Sequence, residues 1–405
     1  MPTLPQYTQF DGSYWDTGSI RNALGYQGAI APHTDEAYDE AMLLGISGGI
    51  AFGYFTFHYK GYDPQVNLLT RNTFDPMQRI FERLGIEVKL LRTASVERMR
   101  KNLIETLESG QAPIAKPDMY LLDYNCLEYD DANWATMPLV VFGYEPGGDA
   151  SISDRSTQPL HVPAGSFDRA MSRVKKDRHG LMLLGEPDNE RLPEAIRAGL
   201  RDTVNLMIEK PPKGSANNFG IKALQRWQKM LGGKGKGSWA KEYANGRACL
   251  AAHTSAYSFL TPAFGKSWGA DRDSYADFLR QAADVLGENQ LGEVAVLYDK
   301  AGKTWQNLFD ALLPPDAALL GRARKVINHK AATFIDMGSK DLETIANCRD
   351  ELASLMQLAE DDFPLDEDGM AKIRENLREC VALVEAAETR AVLALQEACA
   401  TMDGD

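Results

Sequence analysis

The sequence predicts an α+β domain followed by an all-α domain, and three observations carry that reading. Up to about residue 190, aromatic and β-branched runs such as "GGIAFGYFTFHYKGY" and "PLVVFGYE" are mixed with amphipathic helix patterns. From about 191 onward, apolar residues recur almost exclusively at the spacings of three and four that mark helices. The strand runs are joined by a turn, "PGGD", and do not alternate strictly with helices, so the expected sheet is antiparallel. The expected domains are therefore 1–190 and 191–405.

In chain order, "SIRNALGYQG" reads as a short helix with Ile20 and Leu24 on one face, Ser19 or Thr17 as its N-cap and Gly28 as its stop. "DEAYDEAMLLG" reads as a second helix ending at Gly45, and "GGIAFGYFTFHYKGY" as a strand entered through glycines. Two helices follow: "TFDPMQRIFERLG", with Pro76 in its first turn and Gly85 beyond its end, and "SVERMRKNLIETLESG", closed by Gly110. "APIAKPDMYLL", "PLVVFGYE" and "ASISDRS" read as strands, and "SFDRAMSRVKKDRHG" as a helix with a basic exposed side. Beyond "LGEPDNERLP" come seven helical patterns broken by loops such as "KPPKGSANNFG" and "GGKGKGSW". The last two are expected to fold back on each other around "DDFPLDEDG". Their apolar stripes suit intramolecular packing and a homodimer interface equally well.

Composition narrows the partners. A net charge of −13 over 405 residues argues against nucleic acid or an anionic membrane surface as the main partner and leaves room for a cationic one. The five cysteines (Cys126, Cys249, Cys348, Cys380, Cys399) are odd in number and form no CxxC pair, which speaks against a disulfide framework or a cysteine zinc site. The start "MPTLPQYTQFDG" lacks the basic and apolar regions of a signal peptide, and no apolar run reaches membrane-spanning length. A cytoplasmic location is expected.

Few local motifs carry chemistry. "GISGGIAFG" is glycine-rich, yet it follows a helix and opens a strand, the reverse of a phosphate-cradling loop, so it predicts close backbone packing. The six histidines are scattered, with no HExxH and no pair at i, i+4, so no metal is expected. His33 lies close in sequence to Asp35 and Glu36, as a polar pocket or a solvated loop would have it. The run "EDDFPLDEDG" misses the spacing of a calcium loop. No cofactor is expected.

A spread constellation is more informative: "YWDTGSIRNAL" at a helix start, "DEAMLLGISGGIAFGY", "KPDMYLLDYN", and "MPLVVFGYE" followed by "ISDRS". These blocks resemble the N-terminal domain of the butirosin biosynthesis protein H family, a papain-like cysteine-peptidase-fold group. The helical remainder resembles the uncharacterised domain that often accompanies it. The resemblance implies aminoacyl transfer from a carrier-protein thioester to an amine. It also implies a helix-start cysteine within Thr17 to Ser19, a histidine at Met137 or Pro138, and an orienting carboxylate at Asp154. Cysteine and histidine are both absent there, and only Asp154 matches.

Two functions follow as expectations. The first is an acyltransferase-like or amide-forming enzyme of secondary metabolism with a rebuilt site. Ser19, Thr17 and Cys126 are then the candidate nucleophiles, Asp154 is the catalytic carboxylate, and Asp16, Glu40, Arg71, Tyr124, Asn125 and Arg155 line the substrate. Arginine suits a substrate carboxylate or phosphate because its fork donates in pairs. The partners would be a small amine or acyl substrate and an acyl carrier protein. The second is a catalytically inactive relative that binds a metabolite or scaffolds a biosynthetic partner. Each candidate also has an ordinary structural role: helix capping for Thr17 and Ser19, an inert lone thiol for Cys126, solvated or paired charge for the rest.

Overall fold

The computed structural model describes residues 2–129 and 131–402. The first half holds α1 (Trp15–Gln27), β1 (Ile30–Ala31), β2 (Glu36–Ala37), α2 (Glu40–Ile46), β3 (Ile50–Phe57) and β4 (Gln65–Arg71). These are followed by α3 (Pro76–Arg83), β5 (Val88–Leu91), α4 (Val96–Glu108), β6 (Ile114–Ala115), β7 (Leu139–Tyr144), β8 (Asp149–Ser153), β9 (Leu160–Pro163), α5 (Ala164–Arg173) and β10 (Leu181–Leu184). The rest is helical: α6 (Leu192–Val204), α7 (Gly220–Gly232), α8 (Trp239–Glu242), α9 (Gly246–Leu260) and α10 (Arg272–Leu286). The series ends with α11 (Asn289–Leu312), α12 (Ala318–Met337), α13 (Leu342–Asp361) and α14 (Glu367–Met402). The α+β class and the antiparallel sheet expected from sequence are both present.

The chain divides into two compact units that are discontinuous in sequence. The first comprises Met1–Leu43, Pro76–Leu192 and Lys330–Arg349; the second comprises Leu44–Asp75, Pro193–His329 and Asp350–Asp405. The first unit is built on a six-stranded antiparallel sheet in the order β5-β10-β6-β7-β8-β9. Its central strand β7, "LVVFGY", is buried along its whole length, which is why no polar alternation shows in its sequence. Ile20 and Leu24 of α1 are fully buried beside it, as their spacing foretold. A buried hydrogen bond from Asn22 Nδ2 to Ser153 Oγ (2.9 Å) ties α1 to the end of β8.

The second unit gathers the later helices around the β3–β4 hairpin. Its buried centre is aromatic: Phe52 and Tyr54 of β3 stack against Trp227 of α7.

Several elements differ from the sequence reading. The first helix starts at Trp15, with Tyr14 at its N-cap, so Thr17 and Ser19 lie inside it and cap nothing. Its stop at Gly28, in the left-handed conformation (φ 77°), is as expected. The segment "DEAYDEAMLLG" begins as a strand at Glu36–Ala37 and becomes helical only at Glu40. "APIAKPDMYLL" is a strand only at Ile114–Ala115 before breaking into single 3₁₀ turns, where Asp118 accepts from Tyr120 N. The sequence reading missed β4, β5, β9 and β10. The expected α13–α14 hairpin is not what buries the last helix: α14 packs along α11 and α7. Its stripe from Met370 through Leu377, Val384 and Leu395 supplies the buried face.

Candidate functional site

The site lies in the first unit, where the start of α1 meets the end of β8. The loop into α1 passes so close to the helix that a side chain at Gly12 would lie within 2.6 Å of the Gly18 backbone, so both positions need glycine. The carboxylate of Glu40 holds the loop that enters α1. Its Oε2 accepts from Ser13 N and Ser13 Oγ, both at 2.7 Å. Its Oε1 accepts from Tyr14 N at 2.9 Å and Thr17 Oγ1 at 2.6 Å. Four donors fill the acceptor sites of one carboxylate at the positive end of the helix dipole. Glu40, from the next helix, thus pins the N-terminal approach of α1 and the Thr17 hydroxyl. Asp16 adds a second acid to the first turn. Ser19 Oγ is turned back on its own helix and donates to Asp16 O at 3.2 Å.

Trp15, 3% exposed, occupies the first helical position. The Arg155 guanidinium lies over its ring at 4.2 Å from the centroid, and Phe334 of α12 contributes a second ring at 4.8 Å. Arg155 is further fixed by its Nε, which donates to Asp154 Oδ1 at 3.2 Å, and by its Nη2, which donates to Asn125 Oδ1 at 3.0 Å. Asp154 Oδ2 accepts from the Tyr124 hydroxyl at 3.1 Å. Burial, with the Asp154 charge adding to it, pushes the Tyr124 phenol well above its ordinary value, so it remains a neutral donor. Asp154, Arg155, Tyr124, Asn125, Trp15 and Phe334 thus form one half-sealed cluster.

On the neighbouring strand, Val140 of β7 pairs with Ser153 of β8. The residues just before β7, Met137 and Pro138, therefore lie beside those just after β8, Asp154 and Arg155. Cys126 follows Asn125 in a left-handed conformation (φ 46°, ψ 43°), a strained state for a residue with a side chain. Its thiol faces the backbone oxygens of Asp123 at 3.4 Å and Leu342 at 3.8 Å. Lys330, one helical turn before Phe334, stands close enough to feel Cys126 and Arg155. Burial pushes its amine below the ordinary value, and Arg349 and Arg155 push the same way against the opposing pull of Cys126 and Cys348.

Arg71 is not part of this cluster. It belongs to the second unit, where its Nε and Nη2 both donate to the fully buried Asp271 at 2.9 Å. Trp15, Phe334 and Lys330 were not singled out from sequence. Nothing in the sequence links positions 15, 330 and 334 to residue 155. Among the described residues, no group of three or more His, Cys, Asp or Glu side chains is arranged to hold a metal, and no helix is long and apolar enough to cross a membrane.

A helix start set against the end of a central antiparallel sheet, in a chain whose later half is helical, is the frame in which the family matches fall, and the first of them implies a protein related to biosynthetic enzymes. Residues 15–155 match the family model for the N-terminal part of butirosin biosynthesis protein H, and residues 169–314 match that of the Domain of unknown function (DUF4872). No curated protein matches it.

Proposed function

We propose that this chain is a non-acylating member of its family, which binds a small amine or acyl metabolite for a biosynthetic partner. One observation carries the reading: within Thr17 to Ser19, where the family resemblance implies a nucleophile, both alcohols are held in hydrogen bonds, while the adjacent Trp15 ring packs beneath an Arg155 already paired with the orienting carboxylate, Asp154. A thiolate at a helix start is activated by the dipole, and an adjacent imidazole takes its proton. Here Thr17–Ser19 and the pair Met137–Pro138 hold those places, with neither a thiol nor an imidazole among them. The two alcohols offer no substitute. Thr17 donates to a carboxylate whose lone pairs are already filled, and Ser19 is bonded within its helix. Arg155 is likewise committed to Asp154, Asn125 and two ring faces, so it shapes the floor of the site. Exposed Tyr129 and Trp134, on the loop that leads to Met137, offer aromatic surface to a ligand.

Lys330 favours a second reading, in which Cys126 carries an acyl group. In that exchange the Cys126 sulfur bonds to the acyl carbon of a thioester and the donor's C–S bond breaks. The thiol proton passes through the Lys330 amine to the departing thiolate. The two backbone oxygens that face the Cys126 thiol hold its proton in place and count against this reading.

Intact-protein mass spectrometry after incubation with acyl-CoA and acyl-carrier-protein thioesters separates the two. The binding reading expects no covalent adduct, together with saturable binding of an amine or acyl metabolite by calorimetry. An adduct lost in Cys126→Ser would sink it and establish the thiol route. An adduct lost in Thr17→Val or Ser19→Ala would instead revive an alcohol nucleophile.

A further inference from the structure

The last helix carries two seams, and the fold uses one of them. The buried seam, from Met370 through Leu377 and Val384 to Leu395, packs along α11 and α7. On the other side, positions 372, 376, 379, 383, 386, 390, 393, 397 and 400 are all exposed. They advance in alternating steps of four and three, the heptad spacing with which one helix lies along another. Leu383 and Leu393, on this seam, are 60% and 45% exposed. Among the described residues Leu383 is the most exposed large aliphatic side chain. Single exposed leucines are common, so the charges around them decide the matter.

Those charges lack partners in their own helix. Glu379, Arg390 and Glu397 have no opposite charge three or four positions away, where a helix pairs its surface charges. Together with Lys372 they make no ion pair elsewhere in the chain among the described residues. Their order along the seam, Lys372, Glu379, Arg390 and Glu397, is positive, negative, positive, negative. Read from the two ends towards the middle, each charge meets its opposite, with Leu383 and Ala386 left at the centre.

We propose that α14 pairs with α14 of a second copy of this chain, antiparallel across a twofold axis. Glu379 then faces the partner's Arg390, Lys372 faces the partner's Glu397, and Leu383 packs on the partner's Ala386. The axis makes every contact twice, so four ion pairs flank an apolar centre. The overlap, positions 372–397, is about 39 Å of helix at 1.5 Å per residue. The charges also exclude the alternatives. A parallel pair sets each charge against its own copy. Sliding the antiparallel pair by one heptad sets Glu379 against the partner's Glu397, or Lys372 against the partner's Arg390.

Sedimentation velocity of the full chain at micromolar concentration tests this. The expected wild-type species is a reversible dimer. Arg390→Glu and Glu379→Arg should each weaken self-association by roughly tenfold or more, since each turns two attractions into repulsions. An equimolar mixture of the two variants should dimerise again, because a heterodimer restores all four opposite-charge contacts. A monomeric wild type, a dimer insensitive to Arg390→Glu, or a mixture that stays monomeric overturns the proposal. Far-UV circular dichroism checks that both variants fold. Should either fail, Lys372→Glu and Glu397→Lys repeat the same exchange at the outer pairs, with the same outcomes expected and refuting.

Discussion

Whether Asp154 is free for chemistry or committed to Arg155 is a measurable energy. The pair sits at 3.2 Å with side chains 10% (Arg155) and 3% (Asp154) exposed, so solvent screens it little. At that separation and an effective dielectric of ~20, the bare attraction is about 5 kcal/mol, from which desolvation must be subtracted. Removing one partner of a buried pair costs about 3–5 kcal/mol. Asp154→Asn falls at or below the low end, about 2–3 kcal/mol, because Arg155 keeps Asn125 and two cation–π contacts worth roughly 0.5–2 kcal/mol each. Arg155→Met strands the carboxylate beside the Tyr124 hydroxyl and should cost a similar amount. The double variant leaves no unpaired charge, so a double-mutant cycle should return a coupling of about 1.5–3 kcal/mol. Urea midpoints at unchanged m-values are the assay. A coupling below ~0.5 kcal/mol would refute the reasoning. It would mean the carboxylate is effectively independent of Arg155 and available to orient a catalytic group.

Three further outcomes are expected. Glu40→Ala should destabilise the chain by about 1–3 kcal/mol, the range of hydrogen bonds lost to a charged acceptor, while Glu40→Gln, which still accepts, should lose about half of that. Equal urea midpoints for Glu40→Ala and wild type would show that the helix start is satisfied by water instead. His253 is held below its ordinary 6.5 at about 4, so its contribution is complete above pH 6.5 and is lost as pH falls towards 4, with a slope of at most ~1.4 kcal/mol per pH unit. The difference between wild type and His253→Gln in chemical denaturation should flatten above that window, and a difference independent of pH throughout would contradict it. Trp15→Cys should place a thiol at the helix start beside Arg155 and yield iodoacetamide labelling at pH 6 faster than that of Cys126. Labelling no faster than that of Cys126 would show that neither the helix dipole nor Arg155 activates a thiol at this end of α1.

What the sequence alone determined is what depends on neighbours in the chain. The helical period of the later half, the stop at Gly28 and the buried run "LVVFGY" were legible because propensity, capping glycine and hydrophobic pattern act over a few residues. The family blocks also brought Asp154, Tyr124 and Asn125 together correctly as neighbours, though not the bonds they make. Strands β5 and β10 escaped notice because each is four residues long and is defined by the other, about ninety positions away. The start of α1 was misplaced for the same reason. The loop into it is held by Glu40, 27 residues beyond Ser13, and no local rule for Ser or Thr caps could identify that contact. Only the tertiary structure decided that Trp15 and Phe334 would flank Arg155, that Arg71 would pair with Asp271, and that Arg272 would pair with Glu388. Contacts of that range are selected by packing the whole chain, where burial makes every charge find a partner or stand out for lacking one.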